Sequence, residues 1–329
     1  MTRQLWHAKK AEHPRLGAIC LTLLLFFSLA LMLRRADVAA SCMREGLSLC
    51  ARAVVPSLFP FMVLSELLVT SGAGEWLSIP FERPLRKLLG VSRAGCCAVV
   101  LGLICGFPVG ARCAILAHEK GTLDRAECER ILGCASIPSP AFLIGTIGTA
   151  LWKDARFGMF LYITAIVSAL LGGFLLYVMQ KREKNENFKK NASPPAKIHF
   201  EADMFPAAIK NATRNTLLIC AYVVFFCTLS GAIELVIDRF GANDTTHAIL
   251  SLLLELSGGV NAASILANQR LATILTGIAV GWSGISIHCQ MLSLCDGHNL
   301  SIRPYLAAKM MQAIFCALIL SFTPPTLLQ

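Results

Sequence analysis

Residues 105–148, CGFPVGARCAILAHEKGTLDRAECERILGCASIPSPAFLIGTIG, contain two apolar runs that are each interrupted by Gly or Pro near the middle. The first interruption is GFPVG at residues 106–110, and the second is SIPSP at residues 136–140. Lipid offers no partners for the backbone N–H and C=O groups that such interruptions free, so they persist where protein or a wet cavity covers them. Interrupted apolar segments in corresponding positions of two halves indicate a transporter site.

The composition indicates an all-α polytopic membrane protein. The chain has 329 residues, of which 55% are hydrophobic and 15% are charged, whereas soluble domains carry about 25% charged residues. We predict about eight to nine apolar segments, since a span needs ~20 residues. The net charge of +10 favours contact with membrane lipid over nucleic acid. The 14 Cys residues contain no Cys-x-x-Cys, which favours small core residues over metal ligands or disulfides.

Charge and Pro patterns divide the chain into four parts. Residues 1–35 form a basic tail and a first transmembrane helix, residues 36–179 a first repeat, residues 180–206 a basic flexible linker, and residues 207–323 a second repeat with the last helix. The positive-inside rule places the linker in the cytoplasm. If every segment crossed the membrane, the basic tail would lie outside, so re-entrant segments are needed and the topology stays open.

The second half of the chain repeats the pattern of the first. Residues 131–140 align with residues 275–284 at a constant offset, and Ser139 falls on Ser283. We therefore predict two pseudo-symmetric, inverted repeats, each with a pair of broken or re-entrant helices around one midplane site. The predicted helix breaks are Gly106, Pro108, Gly110, Pro138, Pro140, Gly258, Gly259, Gly281 and Gly284.

Five motifs in a fixed order carry a family resemblance. They are PSLFPF at 56–61, GFPVGAR at 106–112, SPAF at 139–142, LELSGG at 254–259 and GWSGISIHCQ at 281–290. Together they resemble the YlbJ-type sporulation integral membrane proteins of the Gate, or nucleoside recognition, superfamily. The resemblance implies a multi-pass protein of the bacterial cell membrane, or of the outer forespore membrane of an endospore former. It also implies transport, of dipicolinate on its way to the forespore or of nucleoside-like solutes.

Two charged residues are the sharpest substrate-binding candidates. Arg112 follows the first interruption, and a charge inside a membrane core marks a solute or ion path by default. Its guanidinium fits a carboxylate, although a pair with Glu119 at the end of a hairpin is the alternative. Glu255 would balance Arg112 across the site or take a coupling proton, whereas a static ion pair needs no solute.

Further candidates flank the breaks. A histidine is a candidate for proton exchange near neutral pH, which makes His288 a candidate, and Gln290 follows it, although both are also compatible with a satisfied core. Ser139 and Ser283 would bond a solute or cap helices, and Asn261 is similar. Glu66 is either a second coupling carboxylate or an interhelical hydrogen-bonding group.

These residues predict a transporter that works by alternating access. Two half-helix N-termini together with Arg112 would form an anion pocket. A planar dicarboxylate such as dipicolinate fits such a pocket better than a neutral nucleoside, which needs Asn, Gln, Glu and aromatic stacking. The coupling ion, a proton or sodium, and a homo-oligomeric state stay open. A structural membrane protein for spore assembly is the alternative.

The sequence lacks the patterns of an enzyme. It contains no His-Glu-x-x-His, no Gly-x-Ser-x-Gly and no Gly-x-x-x-x-Gly-Lys, which are signatures of metalloproteases, hydrolases and nucleotide-dependent proteins. We therefore expect neither catalytic activity nor a cofactor or metal.

Overall fold

The computed structural model describes residues 16–184 and 198–323, which contain helices and no strand. The all-α fold predicted from the sequence is confirmed for these residues. The α-helices are α1 Leu16–Arg34, α2 Ala36–Leu49, α3 Val55–Thr70, α4 Ala73–Leu89, α5 Arg93–Cys105, α6 Val109–Glu119, α7 Arg125–Cys134, α8 Ala155–Lys184, α9 Met204–Asp238, α10 Asp244–Leu254, α11 Leu256–Ser264, α12 Gln269–Trp282, α13 Gly284–Cys295 and α14 Arg303–Ser321. Two π-helical segments, Cys50–Val54 and Ala141–Leu151, follow α2 and α7.

The number of membrane spans is smaller than the sequence predicted. Four helices among the described residues are long and apolar enough to cross a membrane, and α4 with α5, bent by 102°, would make a fifth. The eight to nine predicted segments are therefore not confirmed. The reason is that half-helices such as α6 and α11, with 11 and 9 residues, rise only about 1.5 Å per residue and cannot cross alone. The four spans are Ala155–Gln180, Met204–Asp238, Gln269–Cys295 and Arg303–Ser321.

In the first half, two interrupted helices cross at their breaks. α5 ends at Cys105, and Gly106 has a φ of 81°. The other break runs from the end of α7 to Pro140, which precedes the second π-helical segment. The Phe107 N–H donates to the Ile137 carbonyl at 2.7 Å. A Cβ on Gly106 would lie 2.5 Å from the Ser139 Cα, so the crossing requires glycine there.

The second half contains a similar crossing. Glu255, in an extended conformation, separates α10 from α11. Ser283 and Gly284, with φ values of 73° and 81°, separate α12 from α13. A Cβ on Gly284 would lie 3.0 Å from both the Glu255 Cα and the Leu254 carbonyl oxygen. The two breaks of this half therefore also touch.

The predicted break residues fall at or near these interruptions. Pro108 immediately precedes α6, and Gly110 lies in the first turn of that helix. Pro138 and Pro140 lie in the interruption after α7. Gly281 lies in the last turn of α12, where a Cβ would meet the Ala313 Cα at 2.5 Å. Gly258 lies in the first turn of α11, just after the break at Glu255, and Gly259 follows it in the same helix. The chain breaks at Glu255, whose carboxylate caps α11.

Two long helical stretches pack along the broken helices. α2, the first π-helical segment and α3 run antiparallel to α9, since Gly46 contacts Val224 near one end and Glu66 bonds to Asn211 near the other. α14 packs on α12 and α7 through small residues, including Gly133 against Ala308. α14 therefore touches broken helices of both halves.

The predicted division into domains stays a prediction. α8 continues to Lys184 and α9 begins at Met204, so helix occupies both edges of the predicted linker. The central linker residues 185–197 and the basic residues 1–15 lie outside the described ranges.

Candidate functional site

A central cavity of 90 Å³ lies where the breaks of both halves approach α9. It brings together three of the predicted substrate-binding residues, Ser139, Glu255 and Gln290. Most of its wall is apolar, and two aromatic rings, Phe107 and Phe142, contribute to it. The sequence-based expectation of a site shared by the two halves thus corresponds to a physical space.

Glu255 contributes the buried carboxylate of this cavity. Its residue surface is 5% exposed, and its Oε2 accepts a hydrogen bond from the Gly258 N–H at 2.7 Å. The Glu255 side chain therefore caps the N-terminus of α11. This capping bond is a local arrangement and not the pair with Arg112 that the sequence suggested.

Ser139 has the same capping role in the first half. Its Oγ accepts a hydrogen bond from the Phe142 N–H at 3.2 Å, at the start of the second π-helical segment. Ser139 and Glu255 thus each cap the half-helix that leaves a break, as the capping alternative for the serines foresaw.

Gln290 is the residue of the central cavity with unused hydrogen-bonding capacity. It is 4% exposed, and its Nε2 donates to the Ser286 Oγ at 3.4 Å. Its Oε1 has no partner within the described residues. An unpaired buried acceptor costs about 1–3 kcal/mol, so this oxygen is available to a donor group of a solute. Gln290 also lines a smaller neighbouring cavity with Asn215.

A much larger cavity of 650 Å³, here called the vestibule, adjoins the central one. The two share Leu49, Phe142 and Ser257 as lining residues. Asn261, another predicted site residue, lies in the vestibule and is exposed. The ionisable residues of the vestibule are Glu45, Arg52, Glu234, Asp244 and His247.

The opposite end of this row of cavities is almost closed. A cavity of 10 Å³ lies there between Glu66 and Arg112 and shares Asn215 with the neighbour of the central cavity. Glu66 Oε1 accepts from Asn211 Nδ2 at 2.9 Å, as its interhelical alternative foresaw. Arg112 Nη1 lies 4.0 Å from Glu119 Oε1, which fits the hairpin-end alternative.

The predicted anion pocket is therefore not assembled as expected. Arg112 lines the nearly closed end and not the central cavity. The physical reason is the direction of α6, which leads away from the break at Gly106, so that Arg112 lies a turn beyond it. Glu255 in the central cavity bonds to the backbone of α11 instead.

His288 and Ser283 lie away from the lining of these cavities. His288 Nδ1 lies 3.0 Å from the Tyr305 hydroxyl, and the Trp282 ring packs edge-on against the imidazole at 4.3 Å between centroids. The Ser283 Oγ donates to the Val280 carbonyl at 3.2 Å. His288 therefore matches the core alternative in its packing but is not fully satisfied, since its Nε2 has no partner within the described residues. Ser283 lies at the break without the capping side-chain hydrogen bond that its alternative predicted.

Lys309 is a buried charged residue that the sequence reasoning missed. It lies in α14 with no exposed surface. Its ammonium donates to the Ser136 carbonyl, to Ser283 Oγ at 3.0 Å and to Gln312 Oε1 at 3.2 Å. A lysine inside an apolar span was the available signal, since charges within spans are rare and functional.

Comparison with known proteins gives one informative relative. No family model matches the chain, and no solved structure matches it. The chain is 20% identical over 338 aligned residues to "Sporulation integral membrane protein YlbJ" of Bacillus subtilis (strain 168), covering 92% of this chain and 82% of that protein. Along nearly its whole length, the chain is therefore similar to a sporulation integral membrane protein of the YlbJ type, which confirms that part of the resemblance predicted from its motifs. Membership of the Gate superfamily stays a prediction.

Proposed function

We propose that this membrane protein is a solute transporter whose binding site is the central cavity. One observation carries the proposal: the cavity is lined by break residues of both halves, and shared lining residues connect it to cavities on either side. Transporters place their sites where interrupted helices meet, because unwound backbone is tolerated there. A scaffold protein has no need of such a row of cavities.

The two halves are, in this proposal, inverted repeats. The hairpin α5–α6 begins and ends at one end of the molecule, where Ser92 N–H donates to Glu127 and the Thr122 N–H to the Ala117 carbonyl. The hairpin α10–α11 begins and ends at the other end, since His247 and Asn261 both line the vestibule. Hairpins that enter from opposite ends are the pattern of inverted repeats.

In this arrangement α1 starts and α8 ends on the same side of the membrane. Gln180, near the end of α8, bonds to Arg130, which also bonds to the Gly90 carbonyl at the Arg112 end. The linker after α8 therefore leaves from that end. α2 begins at the vestibule end, so α1 before it starts at the Arg112 end. The start of α1 and the end of α8 then lie on the same side, which is the arrangement that the positive-inside rule favours for the basic segments predicted from the sequence.

The sizes of the end cavities suggest one state of an alternating-access cycle. The vestibule measures 650 Å³, whereas the cavity beside Arg112 measures 10 Å³. The protein is thus open towards the outer side and closed towards the cytoplasm. A closed state at the vestibule would require α10–α11 or α9 to move, because these helices form much of its wall.

The lining of the central cavity favours a planar, uncharged solute over an organic dianion. The described lining contains no Lys or Arg to neutralise a dicarboxylate, whereas the Gln290 amide and two phenylalanine rings suit a nucleoside-type base. Dipicolinate, the first solute predicted from the sequence, is the second candidate, because Arg112 and Arg52 line cavities at the two ends of the row. A role in spore formation, at the cell membrane or the outer forespore membrane, is part of the same proposal.

Uptake into proteoliposomes tests the proposal. We expect uridine uptake by the wild type, a loss of about tenfold or more in Gln290→Leu, and no loss in the control Gln269→Leu, whose side chain is exposed. Uptake of dipicolinate alone, abolished by Arg112→Ala, would reassign the solute. If the protein neither takes up nor binds either solute, the structural role is favoured.

A further inference from the structure

Lys309 lies on α14 at a point that the interruptions after α7 and after α12 both reach. Its ammonium reaches Ser136, in the interruption after α7, and Ser283, in the interruption after α12. Gln312, one turn further along α14, accepts from Lys309 at 3.2 Å and donates to the Gly133 carbonyl at 2.9 Å. Two side chains of one helix thus hold two breaks together.

The acceptors around Lys309 are those of a site for a monovalent cation. All three are uncharged oxygen atoms: a backbone carbonyl, a hydroxyl and an amide oxygen. The carbonyl lies just beyond the C-terminus of α7, where the helix dipole favours positive charge. Unwound carbonyls and half-helix C-termini coordinate coupling cations in other transporters with broken helices.

We propose that the Lys309 ammonium occupies a cation site between the two helix breaks, so that the protein carries its own cation there in place of a coupling sodium ion. This inference deepens the proposed transport function. It rests on that function only where it says that the ammonium replaces an ion coupled to transport. The site itself is a property of the folded protein. A tethered ammonium keeps the junction filled at any sodium concentration, so the wild type needs no sodium for its stability or its uptake.

The decisive experiment removes the tethered cation and offers a free one. The melting temperatures of the wild type, Lys309→Ala and the control Lys120→Ala are measured in detergent, in sodium chloride and in N-methylglucamine chloride at equal ionic strength. Lys120 is exposed. We expect sodium to raise the melting temperature of Lys309→Ala by about 2–5 °C, because an ion that binds only the folded state stabilises it. The other two proteins should not respond.

A second variant covers the case in which Lys309→Ala does not fold. Lys309→Gln keeps hydrogen-bonding atoms at the junction and adds an oxygen ligand, and it should gain stability from sodium in the same way. The proposal is overturned if neither variant gains more than Lys120→Ala, or if the wild type itself needs sodium. If sodium stabilises the variants while the wild type transports neither uridine nor dipicolinate, the cation site stands and the proposed function fails.

Discussion

The two crossings of broken helices share a plan and differ in how their polar groups are satisfied. In each, a glycine with a φ of 81° touches the residue that caps the next half-helix: Gly106 touches Ser139, and Gly284 touches Glu255. The first crossing contains a long interruption after α7, whose carbonyls bond to other elements. The second is a one-residue break that Glu255 caps locally with its carboxylate. Both crossings bond to Lys309 of α14, but the first does so through a backbone carbonyl, and the second combines a serine hydroxyl with a buried glutamate cap.

The largest effect on stability should come from adding a methyl group at the first crossing. Gly106→Ala places a Cβ 2.5 Å from the Ser139 Cα at a positive φ, so both strain and overlap with backbone arise. We expect a loss of about 2–5 kcal/mol in the free energy of unfolding. Gly284→Ala has the same φ and a nearest approach of 3.0 Å, so it should lose less. Denaturant unfolding in micelles measures both.

Gly121 provides the control for that comparison. Its φ is 72°, and a Cβ there would meet nothing within 4 Å. Gly121→Ala therefore reports the cost of the backbone conformation alone, about 1–2 kcal/mol. If Gly106→Ala is no less stable than Gly121→Ala, the close approach of the two breaks is not a feature of the folded protein.

The next two variants separate the capping role of these side chains from the role of the Glu255 carboxyl group. Ser139→Ala removes the acceptor for the Phe142 N–H and should cost about 0.5–2 kcal/mol of stability. Glu255→Gln keeps an oxygen for the Gly258 N–H, so we expect little change in stability but a loss of uridine uptake of about tenfold or more. Thermal unfolding and uptake are measured on the same preparations. Unchanged uptake in Glu255→Gln would show that the carboxylate acts only as a cap.

The sequence predicted those parts of the site that have local signals. Gly106, Pro138 and Pro140 mark interruptions because these residue types disfavour helix. The offset between halves paired Ser139 with Ser283, and Glu255 stood out as a charge within an apolar segment. The break at Glu255 was placed too far along the chain, at Gly258, because an extended glutamate gives no such signal. The eight to nine predicted apolar segments are not confirmed as spans, because half-helices have the composition of spans without their length.

The direction in which a side chain points could not be predicted from the sequence. Arg112 was assigned to the centre because it follows a break, but the direction of α6 places it at the end of the row of cavities. Lys309 carried a sequence signal as a charge within an apolar segment, but its partners Ser136 and Ser283, 173 and 26 residues away along the chain, could not be inferred from spacing. Both outcomes depend on tertiary packing, which composition and spacing do not specify.

The smallest effect on stability is expected at two residues that lie beyond the crossings, Arg112 and Asn261. Arg112 lies six residues after Gly106, and Asn261 lies six residues after Glu255. Arg112 is partly exposed and lies 4.0 Å from Glu119, and Asn261 is exposed in the vestibule. Arg112→Ala should therefore change the free energy of unfolding by less than about 1 kcal/mol, and Asn261→Ala by a similar amount.

Uridine uptake by these two variants shows whether the two halves share one binding site. Because neither side chain lines the central cavity, each should lower uridine uptake by less than Gln290→Leu does. A loss in Arg112→Ala as large as that in Gln290→Leu would place the solute at the Arg112 end, and the first half would then contribute a binding site of its own. Equal, small losses at both positions are what two inverted repeats around one shared site require, since each residue then lies outside the site on its own side of the membrane.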